Sequence, residues 1–171
     1  MTTLIAKCQS LYVHIMLFVM GRALVAVTRI DEEAREEAKG FRDGYTIRMC
    51  VGYNGPGFTI KKQADGTFAL ANDVTDADLT ARFKHIVHAF LSLSFQEGVT
   101  RAFANDRIVV DGDISSSIRL IRILNKLQSL ILPKFIASVA VKRYIDVGLF
   151  EKITKTLRIY GSVTKQLIFG S

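Results

Sequence analysis

The chain has 171 residues, 49% of them apolar, and a formal net charge of +7. That length suits one domain with extensions and is enough to bury a real core, and a charged fraction of 23% excludes a disordered chain. Two prolines, no low-complexity tract and no internal repeat exclude long linkers, solenoids and propellers.

Residues 11–27 read almost continuously apolar. Lys7 and the run behind it fit a signal peptide loosely, but Arg22 interrupts and no small-residue cleavage site follows. A membrane-spanning helix needs about 20 mostly apolar residues, and His14 and Arg22 both fall inside that window. A helix apolar all round is normally buried, so this one is expected to dock in the core, with a membrane interface or self-association as the other outcomes. Residues 31–39 (DEEAREEAK) extend the segment as a solvated helix, with Gly40 as its stop signal. Residues 1–40 are therefore read as an apolar N-terminal helical unit.

The period then changes. Residues 45–51 (YTIRMCV) alternate apolar and polar as a half-buried strand does. A turn at Asn54-Gly55-Pro56-Gly57 leads to a second strand over 58–62, and Asp65-Gly66 turns into a third over 67–70. Residues 78–84 (DLTARFK) alternate again, with Leu79, Ala81 and Phe83 on one face. Read in order, these strands form an antiparallel meander whose apolar face must be covered. Residues 85–95 supply a mostly buried helix, Gly98 interrupts, and 99–105 give a second short one. A strand over 107–111 follows, closed by Gly112-Asp113, and Ser115 or Ser116 is expected to cap the long helix after it.

Candidates for chemistry are few. Cys8 and Cys50 have no metal spacing and no disulfide framework, and read as reduced thiols of a cytosolic protein. His85 and His88 stand at i and i+3, yet no carboxylate or cysteine neighbours them at useful spacing, so they read as structural. The serine triplet 115–117 lacks a G-x-S-x-G elbow and a suitable base. No phosphate loop, carboxylate pair or nucleophile triad can be assembled, so no catalytic residue, cofactor or metal is expected.

The order of these segments resembles a known family. D-L-T-A-R-F at 78–83, a helix ending in Phe90-Leu91, Gln96-Glu97-Gly98, Ala102-Phe103-Ala104, I-V-V-D-G-D at 108–113 and a helix carrying Ile118, Leu120, Leu124 and Leu127 are similar to the second half of the sterol carrier protein type 2 domain. The likeness runs over residues 45–130. It implies an α+β fold, a five-stranded mostly antiparallel sheet covered on one face by helices, here with N- and C-terminal helical extensions. It further implies an apolar tunnel that binds and transfers a fatty acid, fatty acyl-CoA, sterol-like molecule or other lipid without catalysis. The residues expected to line it are Phe83, Ile86, Phe90, Leu93, Phe103, Ile108, Ile118, Ile121 and Leu124, since apolar burial supplies the affinity of such a site. Domain boundaries fall at 1–40, 41–130 and 131–171. The flanks suggest a second role, as an accessory or scaffold protein presenting isoprenoid-quinone or other lipid intermediates to membrane-associated enzymes.

Charge gathers at the C-terminal end. From Arg119 onward there are ten basic residues against two acidic ones, more than the chain's whole net charge. Arg119, Arg122 and Lys126 share one face of the last long helix and are expected to meet an anionic membrane surface. A third reading is a nucleic-acid or protein interaction module using the basic tail; nucleic acid would be met through phosphate neutralisation, but the basic residues are interleaved with Ile and Leu rather than stacking aromatics. The expected setting is cytoplasmic, with peripheral membrane contact and self-association through the N-terminal helix.

Overall fold

The computed structural model describes residues 2–72 and 76–131, together with residues 158, 159 and 161. Helices α1 (Thr2–Ile30) and α2 (Glu32–Lys39) are followed by strands β1 (Thr46–Val51), β2 (Gly57–Lys62), β3 (Phe68–Ala71) and β4 (Leu79–Phe83). Helices α3 (Ile86–Leu93) and α4 (Val99–Ala104), strand β5 (Ile108–Asp111) and helix α5 (Ile114–Ile131) complete the order. The period-two stretches thus become strands and the broad apolar ones helices.

The strands form one five-stranded sheet in the order β3-β2-β1-β4-β5. Three of its pairings are antiparallel, and β1 pairs with β4 in parallel. The expected meander is corrected here: β4 does not continue beyond β3 but crosses to the free edge of β1, the most buried strand. Sequential strands are neighbours only as a tendency, and the apolar alternation of β4 fits either edge. The register places Ile47, Met49, Val51, Phe58, Ile60, Leu79, Ala81, Phe83, Ile108 and Val110 on one face, towards the helices. The opposite face carries Thr46, Arg48, Cys50, Thr59, Thr80 and Arg82, and its central Arg48, Cys50 and Thr59 are buried as well.

Helix α1 covers the β2–β3 half of the apolar face and also packs on α3. Val13, Leu17, Leu24 and Val27 are all but completely buried, following the i, i+4 and i+3 steps of one helical stripe. Burying those four side chains stabilises the docked helix by about 8 kcal/mol as an upper figure. The region 6–30 is long and apolar enough to cross a bilayer by length and composition, but here more than half of its most apolar stretch is packed inside the protein. Leu11, Ile15 and Phe18 remain as an exposed stripe near its start. Thr28 ties α1 to the sheet edge, its hydroxyl accepting the Phe68 backbone N–H at 3.1 Å. The chain then turns into α2, whose cap Asp31 accepts the Ala34 N–H at 3.0 Å, with Gly40 at the far end.

Asp78 sets the parallel register. Its carboxylate accepts the Thr46 backbone N–H at 2.8 Å and the Thr46 hydroxyl at 2.9 Å, while its own N–H donates back to that hydroxyl at 3.0 Å. The first residues of β1 and β4 are thereby pinned side by side, and Arg42 pairs with the same carboxylate. Gly112, at φ +137°, closes the neighbouring end of β5, where a Cβ would stand 2.8 Å from the Asp78 carbonyl oxygen. On α5 the cap is Asp113 rather than a serine: its carboxylate accepts the N–H groups of Ser115 and Ser116 at 3.2 and 2.7 Å. The serines lie inside the first turn because the carboxylate reaches both free N–H groups at once. Cys8 is exposed, while Cys50 is buried with its thiol donating to the Gly52 carbonyl at 3.5 Å, and neither forms a disulfide. The expected C-terminal helical tail lies outside the described residues, apart from 158, 159 and 161, of which Ile159 is buried in the core.

The backbone N–H of Thr46, then the Thr46 hydroxyl and Arg42, hold the Asp78 carboxyl below the usual carboxylate range. Its stabilising effect is therefore complete above about pH 4 and is lost as pH falls through the lowered value. Replacing Asp78 with Ala is expected to cost about 2 kcal/mol at pH 7 in urea unfolding, and to remove part of the acid destabilisation seen below pH 4.

Candidate functional site

The helical cover is uneven. Over β2 and β3 it is the long, tightly seated α1, whereas β4 and β5 meet α3 and the six-residue α4, with α5 roofing the cleft above β1, β4 and β5. Helix α4 is the weakest part of the cover, since no side chain caps its N-terminus and only Val99 and Ala102 on it are buried. Beneath α4 and α5 lies a cleft lined by Met49, Ala81, Val99, Phe103, Ile108, Val110, Ser117, Leu120, Ile121 and Leu124. The sheet register supplies its floor, because Met49, Ala81 and Val110 lie directly across from one another on adjacent strands. On α5, residues 117, 120, 121 and 124 fall within about 100° of arc and form its roof. The single polar side chain, Ser117, donates its hydroxyl to the Asp113 carbonyl at 2.8 Å. The cleft therefore presents apolar surface alone.

Its free volume is about 20 Å³, room for roughly one water and far below the several hundred Å³ of a lipid site. The tunnel expected from the sequence is thus closed in this conformation. Phe103 lines the cleft and is 44% exposed, so it stands at the mouth. Ile114 and Ile118 add further exposed apolar surface on α5.

Of the nine residues expected at the tunnel wall, Phe103, Ile108, Ile121 and Leu124 line the cleft. The other five do not. Phe83 is buried opposite Ile108 and Val51 at the sheet's end. Ile86, Phe90 and Leu93 belong to α3, which packs on α1: the Phe90 ring meets Tyr12 edge-on at 5.2 Å, and the Tyr12 hydroxyl donates to the Leu93 carbonyl at 3.2 Å. Ile118 is exposed because it sits about 100° round α5 from Ser117, off the cleft-facing stripe. Missed in the sequence were Met49, Ala81, Val99, Val110 and Leu120. Strand register was the signal that could have found the three on the sheet.

A second, polar cluster gathers around α3, the α3–α4 connection and the start of β5. Glu97, 8% exposed, pairs with Arg107 at 3.2 Å and accepts a hydrogen bond from Asn105 at 2.7 Å. His88 lies close by, with the His85 and His88 rings 5.3 Å apart. Burial first, then the charges of His85 and Arg107, push His88 below the ordinary histidine range, against the opposing pull of Glu97. The same surroundings favour the neutral imidazole. Among the described residues no group of three His, Cys, Asp or Glu side chains could hold a metal ion.

No family model matches the chain, and no curated protein does. Solved structures do. The chain is similar to "UbiJ-SCP2 Ubiquinone synthesis protein" at 13% identity and a TM-score of 0.43, over 62% of this chain and 87% of that one. It is similar to sterol carrier protein 2 from Yarrowia lipolytica at 17% identity and a TM-score of 0.42, covering 64% and 86%. The sterol carrier protein domain 2 of Helicoverpa armigera gives 16% identity and a TM-score of 0.44, covering 63% and 84%. The α+β arrangement expected from the sequence, a five-stranded, mostly antiparallel sheet with helices on one face, is the one the strand pairing shows.

The basic face of α5 needs a correction. Arg119 and Arg122 both reach Glu37 of α2, at 3.4 and 3.1 Å, and Lys126 is buried between Glu33 and Asp31. The guanidinium of Arg119 lies so close over Gly40 that a Cβ there would stand 2.3 Å from it. The three residues expected to meet a membrane are thus turned onto the carboxylates of the DEEAREEAK helix, and Lys126 is withdrawn from any surface. Removing one partner of such a pair leaves the other's charge less compensated, so Lys126→Ala is expected to lower stability by about 3 kcal/mol in urea unfolding. Lys126→Arg, which keeps the charge, is expected to recover part of that loss.

Proposed function

We propose that this chain binds and transfers a hydrophobic ligand, taking an apolar chain into the cleft between α4, α5 and the β1–β4–β5 half of the sheet. The observation that carries the reading is the cleft itself: ten side chains from three strands and two helices, no free polar group among them, and a half-exposed Phe103 at its mouth. An apolar chain placed there gains about 0.8 kcal/mol per buried CH₂ group, which suits a carrier that distinguishes ligands weakly. Admission of a chain requires α4 to move outward, and α4 is the part of the cover with least buried surface to lose.

No group in the cleft can act as nucleophile, acid or base, which favours binding over catalysis. Transfer needs contact with the ligand's source, and the stripe Leu11, Ile15 and Phe18 offers apolar surface for a membrane or a second copy of the chain. That role moves from α5, where the sequence put it, to the start of α1. An accessory role, presenting a lipid-like intermediate to an enzyme, would use the same cleft and differ only in the ligand's destination.

Uptake of a pyrene-labelled fatty acid tests the reading. The natural chain is expected to show saturable binding, Ala81→Leu to reduce it at least tenfold by filling the cleft floor, and Phe103→Ala to retain it while speeding exchange. Absence of saturable uptake by the natural chain, or full uptake by Ala81→Leu, would overturn it.

A further inference from the structure

The cleft leaves a question of chemistry. Lipids carry a polar end, and the cleft offers that end no hydrogen-bonding group. Two such groups lie in the cluster beyond α4. Ser92 is 2% exposed and its hydroxyl has no hydrogen-bond partner among the described residues, and the Nδ1 of His88 is likewise buried without one. They stand at i and i+4 on α3, so they share one helical face, one turn apart. A serine inside a helix commonly turns its hydroxyl back to the carbonyl four residues earlier, as Ser117 does. Ser92 does not. Buried polar groups are nearly always satisfied, so two adjacent exceptions mark a place where a further group fits.

We propose that His88 and Ser92 together hold the uncharged oxygen, a hydroxyl or a carbonyl, of the lipid's polar end. This rests on the carrier reading and deepens it. The charges around the pair decide the class. Arg107 is already paired with Glu97, which Asn105 also holds, and Lys84 is paired with Asp106, so these side chains carry no net formal charge to offer an ion. An anionic head would face Glu97 and a cationic one would face Arg107, Lys84 and His85. A single neutral oxygen meets neither penalty. A carbonyl can accept from the serine hydroxyl and from a protonated Nδ1, and an alcohol can accept from the serine while donating to an unprotonated Nδ1. The neutral state of the imidazole allows either arrangement.

The two sites also adjoin through α4. Glu97 comes two residues before Val99, and Arg107 immediately before Ile108, both of which line the cleft. Helix α4 packs against both α3 and α5. The outward movement of α4 that admits a chain therefore also joins the cleft to the polar cluster.

The experiment uses the full chain and competition against a pyrene-labelled alkane, with hexadecan-1-ol, hexadecan-2-one and hexadecanoate as matched competitors at pH 7.5. The alcohol or the ketone is expected to compete about tenfold better than hexadecanoate, and whichever of the two is stronger identifies the oxygen. In Ser92→Ala that preference is expected to shrink about fivefold, the scale of one hydrogen bond. Removing an unpaired buried hydroxyl does not threaten folding, and His88→Phe gives a second, independent variant. Hexadecanoate competing as well as the neutral lipids, or a preference unchanged in both variants, would overturn the inference and leave the carrier reading standing. Failure of the natural chain to bind the labelled alkane at all would overturn both.

Discussion

The apolar face of the sheet must be covered, and the chain covers its two halves with very different strength. One half lies beneath α1, a helix so apolar that burial is its only stable setting in water. The other half is left to the long α5 and the two short helices α3 and α4. A tightly covered half fixes the fold, and a loosely covered half leaves room to accommodate a guest. The cleft falls beneath the second, and its lining comes from both sheet and helices, so the same residues that complete the core would contact a ligand.

Helix α5 can roof a cleft only if something other than cleft packing holds it in place. The ion pairs to α2 do that. Glu37 receives Arg119 and Arg122, while Glu33 and Asp31 receive Lys126, so the outer face of α5 is fixed to an acidic helix. Each exposed pair alone contributes little, but the buried lysine cannot leave without uncovering charge. The roof is anchored from outside, and the inner face is free to be apolar. Among the described residues no such ion pair reaches α4, and it is there that the proposed opening would occur.

Much of this was legible in the sequence. Alternation in TIRMCV and LTARF gave the strands and the face each residue would take, and the break at Gly98 separated two helices of the cover. The parallel pairing of β1 with β4 was not legible, because strand order depends on which edge remains free and not on any local pattern. The α3 side chains Ile86, Phe90 and Leu93 were assigned to the tunnel because they are apolar at helical spacing, a property that serves equally for packing on α1. The basic stripe on α5 misled for a related reason: periodicity places charges on one face without telling what that face meets. Its partner was already present in DEEAREEAK, some eighty residues earlier, and charge complementarity between the two helices was the available signal. Ser92 and His88 gave no signal at all, since an unpaired buried atom is a property of packing.

The central claim is that an apolar chain lodges between α4, α5 and the β1–β4–β5 half of the sheet. Paramagnetic broadening of methyl resonances by a spin-labelled fatty chain measures this directly. The account predicts the strongest broadening at Val99, Ile108, Val110, Leu120 and Leu124, with little effect at Val13 and Val27 on the buried face of α1. Broadening confined to the exposed stripe at Leu11 and Ile15, or spread evenly over the surface, would contradict it.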